Sequence, residues 1–156
     1  MSRLQAALLG GLFIGVVSGL PIVGAANACC CLWVVSGGVL TTYLRQQGLT
    51  TPLPPAEAAL SGLVAGIVGA VLMIGLSMAL FLASGSSFEG IVRQTLELYP
   101  EAPADVQDRA LAFAAGPAPA LVMAFVMVPT YAIVSMVGSL LALLFFRTPS
   151  APAAQA

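Results

Sequence analysis

The sequence contains no histidine and no lysine, and charged residues make up only 7% of its 156 residues. Five arginines stand against six acidic residues, so the formal net charge is −1. Without a basic patch, nucleic-acid binding has no electrostatic basis. The sequence also lacks a Ser/His/Asp set, a phosphate-binding loop and paired carboxylates within its apolar runs. We therefore expect a protein that is not an enzyme, binds no nucleic acid and needs no cofactor.

Long apolar runs occupy most of the chain, which is 60% hydrophobic and has a mean hydropathy of +1.04. A soluble domain of this length needs more polar surface. A helix that crosses about 30 Å of hydrocarbon needs about 20 apolar residues. The sequence predicts an all-α polytopic membrane protein, a bundle of four transmembrane helices in a single domain, 1–147, with the lipid bilayer as its surroundings. The predicted spans are 4–20, 29–44, 56–83 and 117–146, and the tail 148–156 is expected to be disordered.

Arginines next to the apolar runs predict the orientation. With four spans, Arg3, Arg45 and Arg147 fall on one side of the membrane, and the acidic segment 84–116 falls on the other. Arg and Lys near span ends favour the cytoplasmic side. The many Ala, Gly and Pro residues, together with the absence of Lys, indicate a GC-rich bacterial genome. We expect a multi-pass protein of the bacterial inner membrane with both termini in the cytoplasm.

A cleaved signal peptide is the alternative interpretation of the N-terminal run. The arginine at position 3, the apolar residues after it and the small residues Ala26-Asn27-Ala28 fit its three regions. A second apolar run follows at once, so we expect no cleavage.

The segment 84–116 is predicted to be an extracytoplasmic helical segment between spans 3 and 4. Its apolar residues recur at helical spacing, which predicts one amphipathic helix before Pro100. This helix either covers one end of the bundle, lies at the membrane interface or forms a docking surface for a partner. The candidate partner surface consists of Phe88, Ile91, Val92, Leu96 and Tyr99.

Small residues recur at intervals of four, which is the most specific pattern in the chain. Small residues on a membrane helix allow the backbones of neighbouring helices to approach closely. The predicted helix-packing residues are Gly11, Gly15, Gly19, Gly62, Gly66, Ser135 and Ser139. We expect them to pack within one chain or to form an oligomer face, while Ala65 and Ala70 face lipid.

Three adjacent cysteines, Cys29, Cys30 and Cys31, precede Trp33. Neighbouring side chains on a helix point about 100° apart, so the three thiols cannot converge on one metal ion, and no histidine is available to complete a zinc or haem site. They are interpreted as small packing residues, as a thiol-redox or soft-metal site, or as a lipid attachment point. Met123 and Met127, one turn apart, are the other candidate soft ligands.

The stretch from Cys30-Cys31-Leu32-Trp33 through Gly37-Gly38 to Tyr43-Leu44 follows a Pro turn and precedes a Gly-rich third run. In this it resembles uncharacterised small bacterial four-span membrane proteins with a Cys-Cys-x-Trp element at the start of the second span. The resemblance covers roughly the first half of the chain. It implies a four-span fold and no particular activity.

The predicted function is that of a non-enzymatic accessory or scaffold subunit of the membrane. It would assemble through small-residue helix faces into a homo-oligomer or a larger membrane complex. A thiol-redox or soft-metal protein centred on the three cysteines is the alternative, and a small permease or pore is a further one. No Asp, Glu, Lys or Arg lies within a predicted span except Glu57 at the edge of the third, which disfavours an ion-coupled carrier.

Overall fold

The computed structural model of the chain is all-α in the residues that it describes, namely 2–20, 23, 27, 31–47, 49, 51–85, 87–101 and 103–146. Six helices lie within these residues: α1 Arg3–Gly19, α2 Leu32–Gln46, α3 Pro55–Ala83, α4 Phe88–Glu97, α5 Ala104–Ala115 and α6 Ala118–Phe145. The all-α prediction is confirmed. The predictions for Cys29, Cys30, Arg147 and the tail 148–156 lie outside the described residues.

The predicted four-span bundle is wrong. Among the described helices, only α3 and α6 are long and apolar enough to cross a membrane. They contain 29 and 28 residues, which at the α-helical rise is about 40 Å. With 17 and 15 residues, α1 and α2 reach only about 25 and 22 Å, less than the roughly 30 Å of hydrocarbon. The apolar runs at 4–20 and 29–44 therefore give shorter helices that pack beside a long pair.

Local sequence fixes where these helices begin. Ser2 and Gln5 form a capping box at α1, in which each side chain accepts a hydrogen bond from the other residue's backbone N–H. The first residue of α3 is Pro55, whose missing N–H costs nothing at that position. Ser87 caps α4 by accepting from the backbone N–H of Gly90 at 3.0 Å. The first residue of each of these three helices is thus determined by one or two local side chains.

The four helices α1, α2, α3 and α6 pack around a core of mostly small residues. Contacts between Gly15 and Leu72 and between Gly19 and Leu76 show that α1 runs parallel to α3. Both α2 and α6 run in the opposite direction. The buried core cluster consists of Ala7, Ile14, Val34, Ala65, Ala70, Met73 and Tyr131. Ala65 and Ala70, which the sequence suggested would face lipid, are thus inside the bundle.

Most of the surface of the two long helices is apolar and faces outward. In the most apolar 18-residue window of each helix, 28% of α3 and 17% of α6 is buried. Phe125 of α6 is 84% exposed. The central helix of a soluble protein would instead be mostly buried. Length, composition and exposure together make α3 and α6 helices that could span a membrane.

The hairpin α4–α5 stands at one end of these helices. The ring of Phe88 lies against that of Phe81 of α3, with centroids 4.9 Å apart. Ala114, near the end of α5, is buried. No residue of α4 is buried, so its apolar side chains remain accessible.

Candidate functional site

The bundle has two unlike ends. We call the end that carries Arg3, Arg45 and Glu57 the closed end. The other end, where α1 stops at Gly19, α3 stops at Ala83 and α6 begins, is the open end.

At the closed end, glycines bring helix backbones into direct contact. A methyl group on Gly38 would overlap the carbonyl oxygen of Ser135, and one on Gly62 would overlap the hydroxyl of Ser139. Further along α3, a methyl on Gly66 would come within 2.7 Å of the Cα atom of Ala132. No larger residue fits these three positions without moving α6.

Buried hydroxyls add hydrogen bonds between α2 and α6. The hydroxyl of Ser139 donates to the carbonyl oxygen of Gly38 at 2.8 Å. The hydroxyl of Thr42 donates to the carbonyl oxygen of Ser139 at 3.1 Å. Both bonds are buried, and the close approach at Gly38 makes them possible. The buried hydroxyl of Ser135 has no hydrogen-bond partner among the described residues.

One carboxylate ties three helices together at the closed end. Glu57 of α3 accepts from Arg3 of α1 at 3.1 Å and from Arg45 of α2 at 3.4 Å. Among the described residues of α1, α2, α3 and α6, these three are the only charged side chains. The site is partly exposed, so its role is to hold helix ends together rather than to carry buried charge.

At the open end, α1, α3 and α6 leave two adjoining cavities. The first, of about 380 Å³, opens where α1 stops and α3 continues, and is lined by Ser18, Gly19, Leu20, Ser77, Leu80, Phe81 and Ser84. The second, of about 210 Å³, lies between α3 and α6 and is lined by Ile74, Ser77, Met78, Phe81, Phe88, Ala120 and Met123. Ser77 and Phe81 belong to both. The first cavity is thus lined in part by serine hydroxyls, whereas the lining of the second is mainly apolar.

A polar network anchored on Asn27 borders the first cavity. The Asn27 side-chain amide donates to the hydroxyls of Ser18 at 2.7 Å and Tyr131 at 3.3 Å. Its carbonyl oxygen accepts from the backbone N–H of Trp33 at 3.1 Å. The network joins α1, α2 and α6. Sequence reasoning missed it, although Asn27 is the single asparagine of the chain and lies between two apolar runs.

The predicted helix-packing residues all lie between helices of this chain. Gly11, Gly15 and Gly19 lie against α3, where they contact Val68, Leu72 and Leu76 respectively. Gly62 and Gly66 lie against α6, and Ser135 and Ser139 of α6 face α2 and α3 in return. The structure therefore brings all seven residues into contacts within the chain.

The predicted partner surface is on the outside of the hairpin. Ile91 is 48% and Tyr99 66% exposed. Phe88, Val92 and Leu96 are half-buried. Beside the stripe, Arg93 donates to Glu89 at 2.7 Å, an ion pair one turn apart on α4. The stripe is thus a partly accessible apolar surface bordered by an ion pair.

The cysteine predictions can be followed for one residue. Cys31 is half-buried at the N-cap of α2, where it has a left-handed backbone conformation with φ of 48°, and it packs against the core cluster. Within the described residues, no group of three or more His, Cys, Asp or Glu side chains is placed to hold a metal ion. Met123 and Met127 pack beside the core cluster. The thiol-redox, soft-metal and lipid-attachment interpretations stay predictions.

Comparison of the chain with protein-family models, with curated proteins and with solved structures finds no match. The resemblance noted for the Cys-Cys-x-Trp element stays a prediction.

Proposed function

We propose that this chain is a non-enzymatic accessory or scaffold subunit, embedded in a lipid bilayer by α3 and α6. The observation that supports it is the outward-facing apolar surface of these helices, of which Leu121, at 67% exposed, and Phe125 are examples. Contact between this surface and lipid tails carries no free-energy cost, whereas its exposure to water is unfavourable. A contiguous apolar surface along two helices of about 40 Å is more than a soluble monomer exposes.

A scaffold role is favoured by how the polar groups are used. The hydroxyls of Thr42 and Ser139 bond neighbouring backbones, and Glu57 is paired with two arginines. These groups hold helices together. In this proposal the arginine-bearing closed end faces the cytoplasm of a bacterium, because Arg near a span end favours that side.

Assembly with other proteins is assigned to the α4–α5 hairpin. The small-residue faces already lie in contacts within the chain, whereas Ile91 and Tyr99 of the stripe are 48% and 66% exposed. The hairpin region 88–109 carries five acidic residues and two arginines. A partner with an apolar groove and a basic rim fits this surface, and such complementary charge would favour association.

Membrane embedding is tested with a charged substitution. Phe125→Arg places a cation on the outward face of α6, where the bilayer centre disfavours it by about 3 kcal/mol. We expect less protein in the alkali-resistant membrane fraction. The matched control is Ile91→Arg on the hairpin, which should leave that fraction unchanged. Wild-type protein released by alkaline carbonate would contradict membrane embedding.

Assembly through the hairpin is tested separately, by native mass spectrometry of protein purified in mild detergent. Ile91→Asp combined with Leu96→Asp should reduce the mass to that of one chain. Gln94→Asp, at an exposed position of the same helix outside the stripe, is the control and should not. A complex whose mass is unaffected by the double substitution would show that the hairpin is not the assembly surface. The wild-type mass distinguishes a homo-oligomer from a larger complex.

A further inference from the structure

We propose that the open end binds one molecule of an uncharged amphiphile, a long apolar chain with a hydroxyl- or ester-bearing head. The monoacylglycerol class has this chemistry. The two cavities there share Ser77 and Phe81 as lining residues. In this proposal, one molecule places its head in the hydroxyl-lined cavity and part of its chain, across these two side chains, in the apolar one.

The first cavity supplies hydrogen-bonding groups that its own residues do not fully use. The hydroxyl of Ser77 donates only to the Sδ atom of Met73, at 3.7 Å, and a thioether is a weak acceptor. A ligand oxygen would be a better partner. The Ser18 hydroxyl accepts from Asn27, which fixes its oxygen. No described residue accepts the Ser18 proton, so it can be donated to a ligand.

The second cavity suits a flexible apolar chain. Met78 and Met123 line it, and methionine adapts its shape to irregular apolar contents. Phe81 and Phe88 close its side. A volume of about 210 Å³ beside one of about 380 Å³ falls within the range of small-molecule sites, roughly 300–1,000 Å³ in total.

The absence of charge among the described lining residues decides the head group. No Arg, Asp or Glu lines either cavity, and the arginines of the bundle are at the closed end. An ionised head would therefore lose its hydration without gaining a counter-charge. A neutral head with oxygen atoms loses less and gains the serine hydroxyls. This distinguishes the ligand from a phospholipid or a fatty acid.

In this proposal, an amphiphile dissolved in the bilayer enters beside the end of α1 at Gly19, which lies next to Leu76 of the longer helix α3. Only this route of supply rests on the proposed membrane location; the fit of the ligand does not.

The test uses the full chain in phosphatidylcholine nanodiscs and a monoacylglycerol with a photoreactive diazirine in its acyl chain. After irradiation, peptide mass spectrometry locates the label. We expect labelling in 74–81 and 120–123. Unlabelled 1-oleoylglycerol should displace the probe at a concentration roughly tenfold lower than oleate or hexadecane requires. A tenfold difference in affinity corresponds to about one good hydrogen bond.

Two pairs of variants separate the cavity from the lipid-facing surface. Ala120→Phe fills the second cavity and should abolish most labelling, while Val122→Phe, on the exposed side of the same turn, should not change it. Ser77→Ala should raise the 1-oleoylglycerol concentration needed for displacement by roughly threefold to tenfold. The control Thr130→Val removes an exposed hydroxyl of α6 and should have no effect. Trp33 fluorescence checks that each variant is folded.

Three results would overturn the inference. Labelling spread evenly over exposed positions such as Leu121 and Phe125 would mean contact with bulk lipid only. Equal displacement by oleate would show that an uncharged head is not selected. Unchanged labelling in a folded Ala120→Phe protein would exclude the second cavity. If that variant does not fold, Ser77→Ala decides alone, and its displacement curve must shift. The membrane-extraction test above is independent of all these outcomes.

Discussion

The closed end and the open end are built by the same pair of long helices but differ in the size of the side chains between them. At the closed end, Gly62 and Gly66 of α3 let α6 approach until backbone atoms touch. At the open end, methionine and phenylalanine side chains lie between the same helices, and cavities remain. The two long helices thus lie closest where the side chains between them are smallest, and this close approach occurs at the end that also carries the buried hydroxyls.

The difference also determines what kind of interaction each end makes. Close approach allows a hydroxyl on one helix to reach a backbone carbonyl of another, as Ser139 reaches Gly38. Such bonds have strict geometry. Methionine packing has no such requirement and tolerates changes in its contents. We therefore expect substitutions to be costly at the closed end and tolerated at the open end.

The largest effect is expected from Ile14→Ala. Ile14 is fully buried and its side chain fills the space beside Gly37 and Gly69, so its removal leaves a void that rigid glycine contacts cannot close. A loss of about 2–5 kcal/mol in unfolding free energy is expected. The measurement is unfolding by SDS in mixed micelles, followed by the fluorescence of Trp33. Leu12→Ala, at a position 49% exposed, is the control. A similar loss of stability in this control would mean that burial of the side chain is not what makes Ile14→Ala costly.

The next effect is expected from Gly38→Ala. The added methyl meets the Ser135 carbonyl and comes within 2.9 Å of the Ser139 nitrogen, so α2 and α6 must separate, at a cost of about 1–3 kcal/mol. The control is Gly75→Ala in α3, where nothing lies within 4 Å of the new atom. The same SDS titration should show no loss for this control. If both variants behave alike, close contact at Gly38 is not what holds the closed end.

A smaller effect is expected from Ser139→Ala, which removes the hydrogen bond to Gly38 but keeps the residue small. Interhelical hydrogen bonds in membrane proteins contribute about 0.6 kcal/mol on average, so we expect a loss of about 1 kcal/mol or less. The control is Thr130→Val, because the Thr130 hydroxyl bonds Val126 of its own helix. Thr42→Val, which removes the other hydrogen bond between α2 and α6, should cause a loss of similar size, and Thr130→Val should cause none.

Glu57→Gln should have a smaller and salt-dependent effect. The carboxylate is 35% exposed, and exposed ion pairs contribute about 1 kcal/mol or less. We expect the stability difference between wild type and variant to shrink as salt is raised from low ionic strength to about 1 M, where screening acts over about 3 Å. Glu89→Gln, which breaks a pair within α4, should not alter unfolding of the bundle at any salt concentration.

The smallest effect is expected from Met127→Leu at the open end. Leucine and methionine have similar volumes, and such exchanges usually cost less than about 1.5 kcal/mol. Because Met127 is only half-buried at the edge of the core cluster, we expect no measurable change in the SDS titration. A loss as large as that of Gly38→Ala would mean that the open end is packed as strictly as the closed end.

Part of this arrangement could be predicted from the sequence. The apolar runs predict the all-α fold and the two long helices, because length and composition are local properties. The four-span count failed because the first two runs are close to the length limit, which hydropathy alone does not resolve. Ala65 and Ala70 were assigned to lipid from helix angle, but they lie inside because α3 contacts helices on several sides.

The candidate site was beyond sequence reasoning for a different reason. Ser18, Ser77 and Met123 are each ordinary residues of apolar helices, and only the packing of α1, α3 and α6 brings them to one place. Asn27 was the exception. A single amide between two apolar runs signals a polar network, and its partners at positions 18 and 131 require the fold to be known.

The hydrogen bonds between α2 and α6 also determine when the protein can finish assembling during synthesis. Thr42 and Ser139 are 97 positions apart, and Gly38 and Ser139 are 101 apart. While the first three helices are already outside the ribosome, the glycine faces of α2 and α3 have no α6 to cover them. A nascent chain of this protein therefore exposes those faces until α6 has been translated, and during this interval they are open to incorrect contacts.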